Sequence, residues 1–255
     1  MGVRKTRASG RVSTPLSLIM FHYEKAWQEV KARIASAASR AGRDPNSVQL
    51  LAVSKTFPPE AIRAVHALGQ RAFGENYVQE CAEKIDALAD LTDIEWHLIG
   101  PLQSNKATVA AGRFDWVQTV DRVKIAERLS RSRPDNVPPL EVCVQVNASG
   151  EASKSGVTPA DAVALAKAVA ALPRLRLRGI MGIPEATEDI ARRRAQFRVL
   201  RECLDDCRAA GLPADTLSMG MSADLEDAIA EGATLVRIGT SIFGAREARH
   251  AGVVA

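Results

Sequence analysis

A chain of 255 residues with 46% apolar side chains can bury one large core, so it needs neither disulfides nor a structural metal to fold. The formal net charge of +4 is no nucleic-acid footprint: Arg4, Lys5, Arg7 and Arg11 precede every acidic residue, and setting those four aside leaves 30 basic side chains against 30 acidic ones. Cys81, Cys143, Cys203 and Cys207 form no CxxC pair and no Cys/His cluster, which points to thiols of a reducing compartment and excludes a metal-ligand pattern.

Residues 1–14 lack the apolar core of a signal peptide, and the run Leu16 to Phe21 is too brief to span a bilayer, so a cytoplasmic protein without a membrane partner is expected. Met1 to Thr6 fits the loose myristoylation pattern, but a pattern this short is outweighed by the reading of a plain extension. Residues 1–19 are expected to be a disordered extension, or residues ahead of a true start at Met20, and residues 20–255 to form the folded domain.

From His22 to Ala41 the chain reads as a helix with Ala26, Val30, Ile34 and Ala37/Ala38 on one stripe, ended by Gly42 and the turn Asp44, Pro45, Asn46. Short apolar runs then alternate with longer helical patterns. The runs are 48–53, 72–74, 95–99, 116–120, 141–146, 178–183, 216–219 and 235–238, eight in all. Helical stretches between them include 60–68, 78–89, 160–172 and 190–210, the last closed by Gly211. Eight strands each followed by a helix predict a single (β/α)₈ barrel with an extra N-terminal helix. No GxGxxG, Walker A or GxSxG motif supports a dinucleotide, nucleoside-triphosphate or serine-hydrolase reading.

In such a barrel the chemistry sits at the C-terminal ends of the strands. The residues there form a polar ring: Ser54 and Lys55, Glu75 and Asn76, His97 and Gly100, Asp121, Asn147, Met181 and Gly182, Ser218 and Ser222, then Arg237, Gly239 and Thr240. Lys55 continues the apolar run Leu50 to Val53 into the barrel mouth, where a desolvated amine is suited to condense with an aldehyde; a lysine merely snorkelling at a strand end is the alternative. Ser222 stands where it would cap a helix whose first turn carries Asp224 and Glu226. With the turn Gly239–Thr240 on the neighbouring strand, it makes a candidate phosphate site.

The segments LAVSKT (51–56), FGENYVQE (73–80), WHLIGPLQSNK (96–106), SKSG (153–156), GIMG (179–182), LSMGMSAD (217–224) and VRIGT (236–240) resemble, in the same order, the pyridoxal phosphate homeostasis protein family. The resemblance runs from about His22 to Arg246. It implies a barrel similar to the N-terminal domain of alanine racemase (the fold type III barrel), with pyridoxal 5′-phosphate (PLP) held as a Schiff base on the lysine that matches Lys55. It further implies Ser222, Gly239 and Thr240 as the phosphate cup, Arg237 as the group facing the pyridine nitrogen, and Asn76 beside the ring. His97, Asn105, Lys106 and Lys154 lie in family motifs with structural or supporting roles equally open.

An arginine carries a fixed charge and opposes protonation of a pyridine nitrogen, which weakens the ring as an electron sink. Two functions remain. One is a non-catalytic carrier that buffers PLP in intracellular vitamin B6 homeostasis and hands it to apo-enzymes, its expected partners. The other is a PLP-dependent amino-acid racemase. A racemase needs a second base opposite Lys55; only Tyr23 and Tyr77 are available as tyrosines, Tyr23 lies in the N-terminal helix, and the chain runs only fifteen residues past Thr240, without room for a racemase-type β domain. The carrier is favoured, and a monomer is expected.

Overall fold

Residues that alternate between two apolar surroundings build the strands. Along β1 (Gln49–Val53), Leu50 and Ala52 join the core shared with the helices, whereas Leu51 and Val53 belong to a separate buried cluster with Ala72, Ile99 and Leu235. That alternation is the signature of a barrel wall with a packed interior. The computed structural model describes residues 16–151 and 154–245, with side chains from residue 20 onward.

The eight parallel strands are β1, β2 (Ala72–Glu75), β3 (Glu95–Leu98), β4 (Trp116–Val120), β5 (Leu140–Val146), β6 (Leu175–Gly182), β7 (Thr216–Ser218) and β8 (Leu235–Ile238). They close in sequence order, β8 pairing back on β1 with Arg237 opposite Leu51. The helices outside are α2 (Pro59–Ala67), α3 (Val78–Ala87), α4 (Ala107–Arg113), α5 (Val123–Ser132), α6 (Ala162–Ala170), α7 (Ile190–Ala209), α8 (Leu225–Ala230) and the short α9 (Thr240–Phe243), with α1 (Leu16–Arg40) ahead of β1. The fold is the expected (β/α)₈ barrel with an N-terminal helix.

Two boundaries differ from the sequence reading by more than two residues. The helix expected to begin at His22 starts at Leu16, because the apolar run up to Phe21 contains no glycine or proline to stop it. β6 begins three residues before Arg178: Leu175 and Leu177 point into the core while Arg176 is exposed, an alternation that its arginines disguise. The proposed acylation pattern and the four basic residues of the N-terminal tail lie outside the described residues.

α1 buries Trp27, Val30, Ile34, Ala37 and Ala38. Its Arg33 donates to both carboxylate oxygens of Glu226 on α8, at 2.9 and 3.0 Å, and to the carbonyl of Ser222 at 3.2 Å. The extra helix thus braces the loop after β7. All four cysteines are free and buried, with burial pushing the Cys143 thiol up to about 12, so they are inert as nucleophiles. Among the described residues no helix is long and apolar enough to cross a membrane, and no group of histidine, cysteine or carboxylate side chains could hold a metal.

Candidate functional site

The turn after β1 is clamped from below. Lys84 on α3, only 5% exposed, donates to the Ser54 carbonyl at 3.0 Å and pairs with Glu75 and Glu80, both at 2.8 Å. Ser54 Oγ donates to the same Glu75 oxygen at 2.7 Å, and Glu80 accepts from the Thr56 N–H at 2.7 Å. Thr56 needs that hold: its φ of 70° lies in the left-handed region, costly for a β-branched residue. Burial pushes the Glu75 carboxyl up while the Lys84 ammonium pulls it down. Glu75 therefore belongs to the layer between β2 and α3, not to the polar ring at the mouth, because a strand alternates and Gly74 takes the inward position beside Leu51 and Ile99.

Above this clamp lies a cavity of about 260 Å³, lined by Lys55, Asn76, Ser222, Arg237, Gly239 and Thr240 together with the apolar Val53, Phe57, Ile99 and Ile183. All six candidate residues meet there. Asn76 is held by a close backbone approach: a Cβ on Gly100 would collide with the Asn76 carbonyl, so only glycine fits. Phe57 stacks on Phe243 with ring centroids 5.1 Å apart, tying the Lys55 turn to α9.

Ser222 does not cap α8. Asp224 occupies that position and turns its carboxylate back to accept from Met221 N at 2.6 Å, leaving Ser222 Oγ to accept from Ser241 N at 3.4 Å across the cavity's edge. The loop between them requires glycine at Gly220, where φ is +94° and a Cβ would sit 2.5 Å from that of Ala228. The cup thus joins the β7 loop to the first turn of α9.

Arg237 is 4% exposed, and among the described residues its hydrogen-bond partners are uncharged oxygens: Ser218 O and Oγ at 2.7 Å each, and Gly182 O at 2.9 Å. Burial pushes it down to about 10, partly offset by Asp224, so it stays charged at neutral pH.

The remaining candidates scatter. His97 is fully buried inside the barrel and bonds to Gln118 rather than reaching either cavity. Lys106 reaches Gln79 on the surface at 3.4 Å, and Asn105 lines neither cavity. Tyr77 is 59% exposed and outside the lining, while Tyr23 packs edge-on against Phe243. Lys154, paired with Glu151 at 2.8 Å, lines a neighbouring chamber of about 210 Å³ that shares Asn76, Ile99 and Ile183 with the first. Gln118 and Lys84 were missed by the sequence reading, although each leaves a signal: a glutamine inside the apolar strand WVQTV, and a lysine on the buried stripe of a helix.

The donor set suits PLP chemically. An amine sits on a held turn, apolar walls accept a flat ring, a buried guanidinium without a carboxylate partner lies at the floor, and hydroxyl and backbone donors lie at the rim. Comparison with known proteins points the same way. Residues 27–247 match the family described as alanine racemase, N-terminal domain. The pyridoxal phosphate homeostasis protein of Pseudomonas aeruginosa is 60% identical over 219 residues, covering 86% of this chain and 94% of that protein. Its Escherichia coli counterpart is 52% identical over 226 residues, with 86% and 94% coverage. The structure of PipY from Synechococcus elongatus with PLP bound superposes with a TM-score of 0.73 at 42% identity, covering 83% of this chain and all of that one. A barrel of this topology and relatives this similar over most of their length make the chain a member of the pyridoxal phosphate homeostasis protein family, within the alanine racemase N-terminal domain fold.

Proposed function

We propose that this protein holds PLP on Lys55 and carries it in intracellular vitamin B6 homeostasis, without turning over a substrate. One observation carries the reading: Lys55, Asn76, Ser222, Arg237, Gly239 and Thr240, drawn from four separate stretches of sequence, line a single cavity. When bound, the cofactor supplies an aldehyde for the lysine and an electron-withdrawing ring. The chain's own residues orient it, with Arg237 donating to the ring nitrogen, Asn76 flanking the ring and the Ser222/Gly239/Thr240 rim receiving the phosphate.

The non-catalytic reading is supported by what lines the two chambers. Their ionisable side chains among the described residues are Lys55, Arg237 and Lys154; no tyrosine, histidine or carboxylate joins them as the second base a racemase requires. A monomer in the cytoplasm that passes the cofactor to apo-enzymes completes the proposal.

The test is the visible spectrum of the purified protein followed by borohydride reduction and peptide mapping. A pyridoxyl group on Lys55, with the absorbance lost in Lys55→Ala while the far-UV circular dichroism is kept, is the expected result. A reducible yellow species persisting in Lys55→Ala would place attachment elsewhere.

A further inference from the structure

The barrel interior is apolar on two sides. Leu51, Val53, Ala72, Ile99 and Leu235 form one cluster, and Trp116, Cys143 and Met181 form another. Between them runs a line of buried polar side chains that such a core does without for stability: Arg237, Ser218, Gln118 and His97, the last three wholly inaccessible. Arg237 NH1 reaches Ser218 Oγ at 2.7 Å, Ser218 Oγ reaches Gln118 Oε1 at 2.6 Å, Gln118 Nε2 reaches His97 Nδ1 at 2.9 Å, and His97 Nε2 faces Glu95 Oε2 at 3.5 Å. Glu95 is at the start of β3, on the face of the barrel opposite the cavity.

The polarity of this line is forced. A guanidinium only donates, so Ser218 Oγ accepts from it and must send its own proton onward. Gln118 then presents its carbonyl to Ser218 and its amide N–H to His97, which accepts at Nδ1. The histidine is neutral and carries its proton on Nε2, toward Glu95. Stacking on Trp116 at 4.9 Å with planes 12° apart, and burial that holds its pKa below the usual value, agree with the neutral ring. One charged group at the cavity floor therefore dictates the hydrogen-bonding state of a histidine on a strand three places away around the barrel.

We infer that Ser218, Gln118 and His97 are positioning residues of the cofactor site, a one-way relay that fixes the Arg237 guanidinium where a ring nitrogen would meet it. The inference rests on the reading of the cavity as a PLP site. The guanidinium lacks a carboxylate to orient it, and the two carbonyls of Ser218 and Gly182 define only one edge; the Ser218 hydroxyl, itself locked by Gln118, supplies the remaining constraint. The relay spares Arg237 an acidic partner that would offset its charge next to the ring.

Two measurements test it. In the unliganded protein, ¹⁵N chemical shifts of the imidazole should show His97 neutral with Nδ1 unprotonated, and Gln118→Leu should abolish that tautomer preference. In the liganded protein, affinity is measured for PLP and for its 1-deaza analogue, which lacks the ring nitrogen. Gln118→Leu and Ser218→Ala should each weaken PLP roughly ten-fold, the scale of one hydrogen bond to a charged group, and leave the analogue within about two-fold of the parent protein. Gln118→Glu, which keeps the shape and the Ser218 link but loses the donor to His97, guards against simple misfolding and should lose the tautomer while weakening PLP measurably but less than Gln118→Leu does. Equal losses for both ligands, or a parent His97 protonated at Nδ1, would overturn the relay alone. Absence of a reducible pyridoxyl group at Lys55 in the parent protein would overturn the cofactor reading and the relay together.

Discussion

His97 and Thr240 behave as opposite kinds of residue, one wholly buried and one at the exposed rim, and each makes a separate prediction. Burial holds the His97 imidazole below the usual pKa of about 6.5, against the raising effect of Glu95. A depressed base gives stability that is complete above the unfolded value and is lost as pH falls through the folded one, because protons then bind the unfolded state first. Thermal unfolding should therefore show a fall in midpoint as the pH drops below about 6.5 that is smaller in His97→Asn; identical pH profiles would show that this histidine contributes nothing. At the rim, Thr240→Ala should weaken PLP by about 1–3 kcal/mol through loss of one charge-assisted hydrogen bond, with no change in its spectrum. Pyridoxal, which lacks the phosphate, should bind far more weakly, and equal affinity would remove the cup.

Among the elements, the β1 turn and α3 are coupled through buried charge. Lys84→Met strands Glu75 without its partner, and breaking a buried pair from one side should cost about 3–5 kcal/mol in urea unfolding. Adding Glu75→Gln should recover much of the stability but not the cofactor affinity, since the Ser54 carbonyl would still lack its donor and Glu80, which holds the strained Thr56, would still lack its paired ammonium. Full recovery of affinity in the double variant would mean that the clamp does not shape the Lys55 turn. The eight strands were legible because each is a short run of apolar or β-branched residues between turn signals, and the cavity residues because each follows such a run or, like Arg237, lies near its end. The clamp was not legible, since Glu75 reads as a mouth residue until the strand's alternation is known from its neighbours. The relay was hidden for a related reason: Gln118 and Ser218 lie 100 residues apart and meet only when the barrel closes. The Ser222 cap failed because Asp224, two residues on, competes for the same helix start and takes it.

At the scale of the molecule, the proposed function separates holding a cofactor from using it. The second chamber borders the first, and Asn76, Ile99 and Ile183 line both. A carrier that must release its cargo would exchange one amine for another on the cofactor. Removing a proton from the α-carbon is another matter. It needs a base on each face for inversion and a ring that accepts the electron pair; on the proposed reading a charged Arg237 would disfavour protonation of the ring nitrogen, and Tyr77 is exposed to solvent. Mixed with single amino acids in deuterium oxide, the loaded protein should change its spectrum, yet incorporate deuterium at the α-carbon no faster than free PLP does. Incorporation clearly above that background for any one amino acid, lost in Lys55→Ala, would make the protein an enzyme, and its further loss in a Lys154 variant would identify the second base.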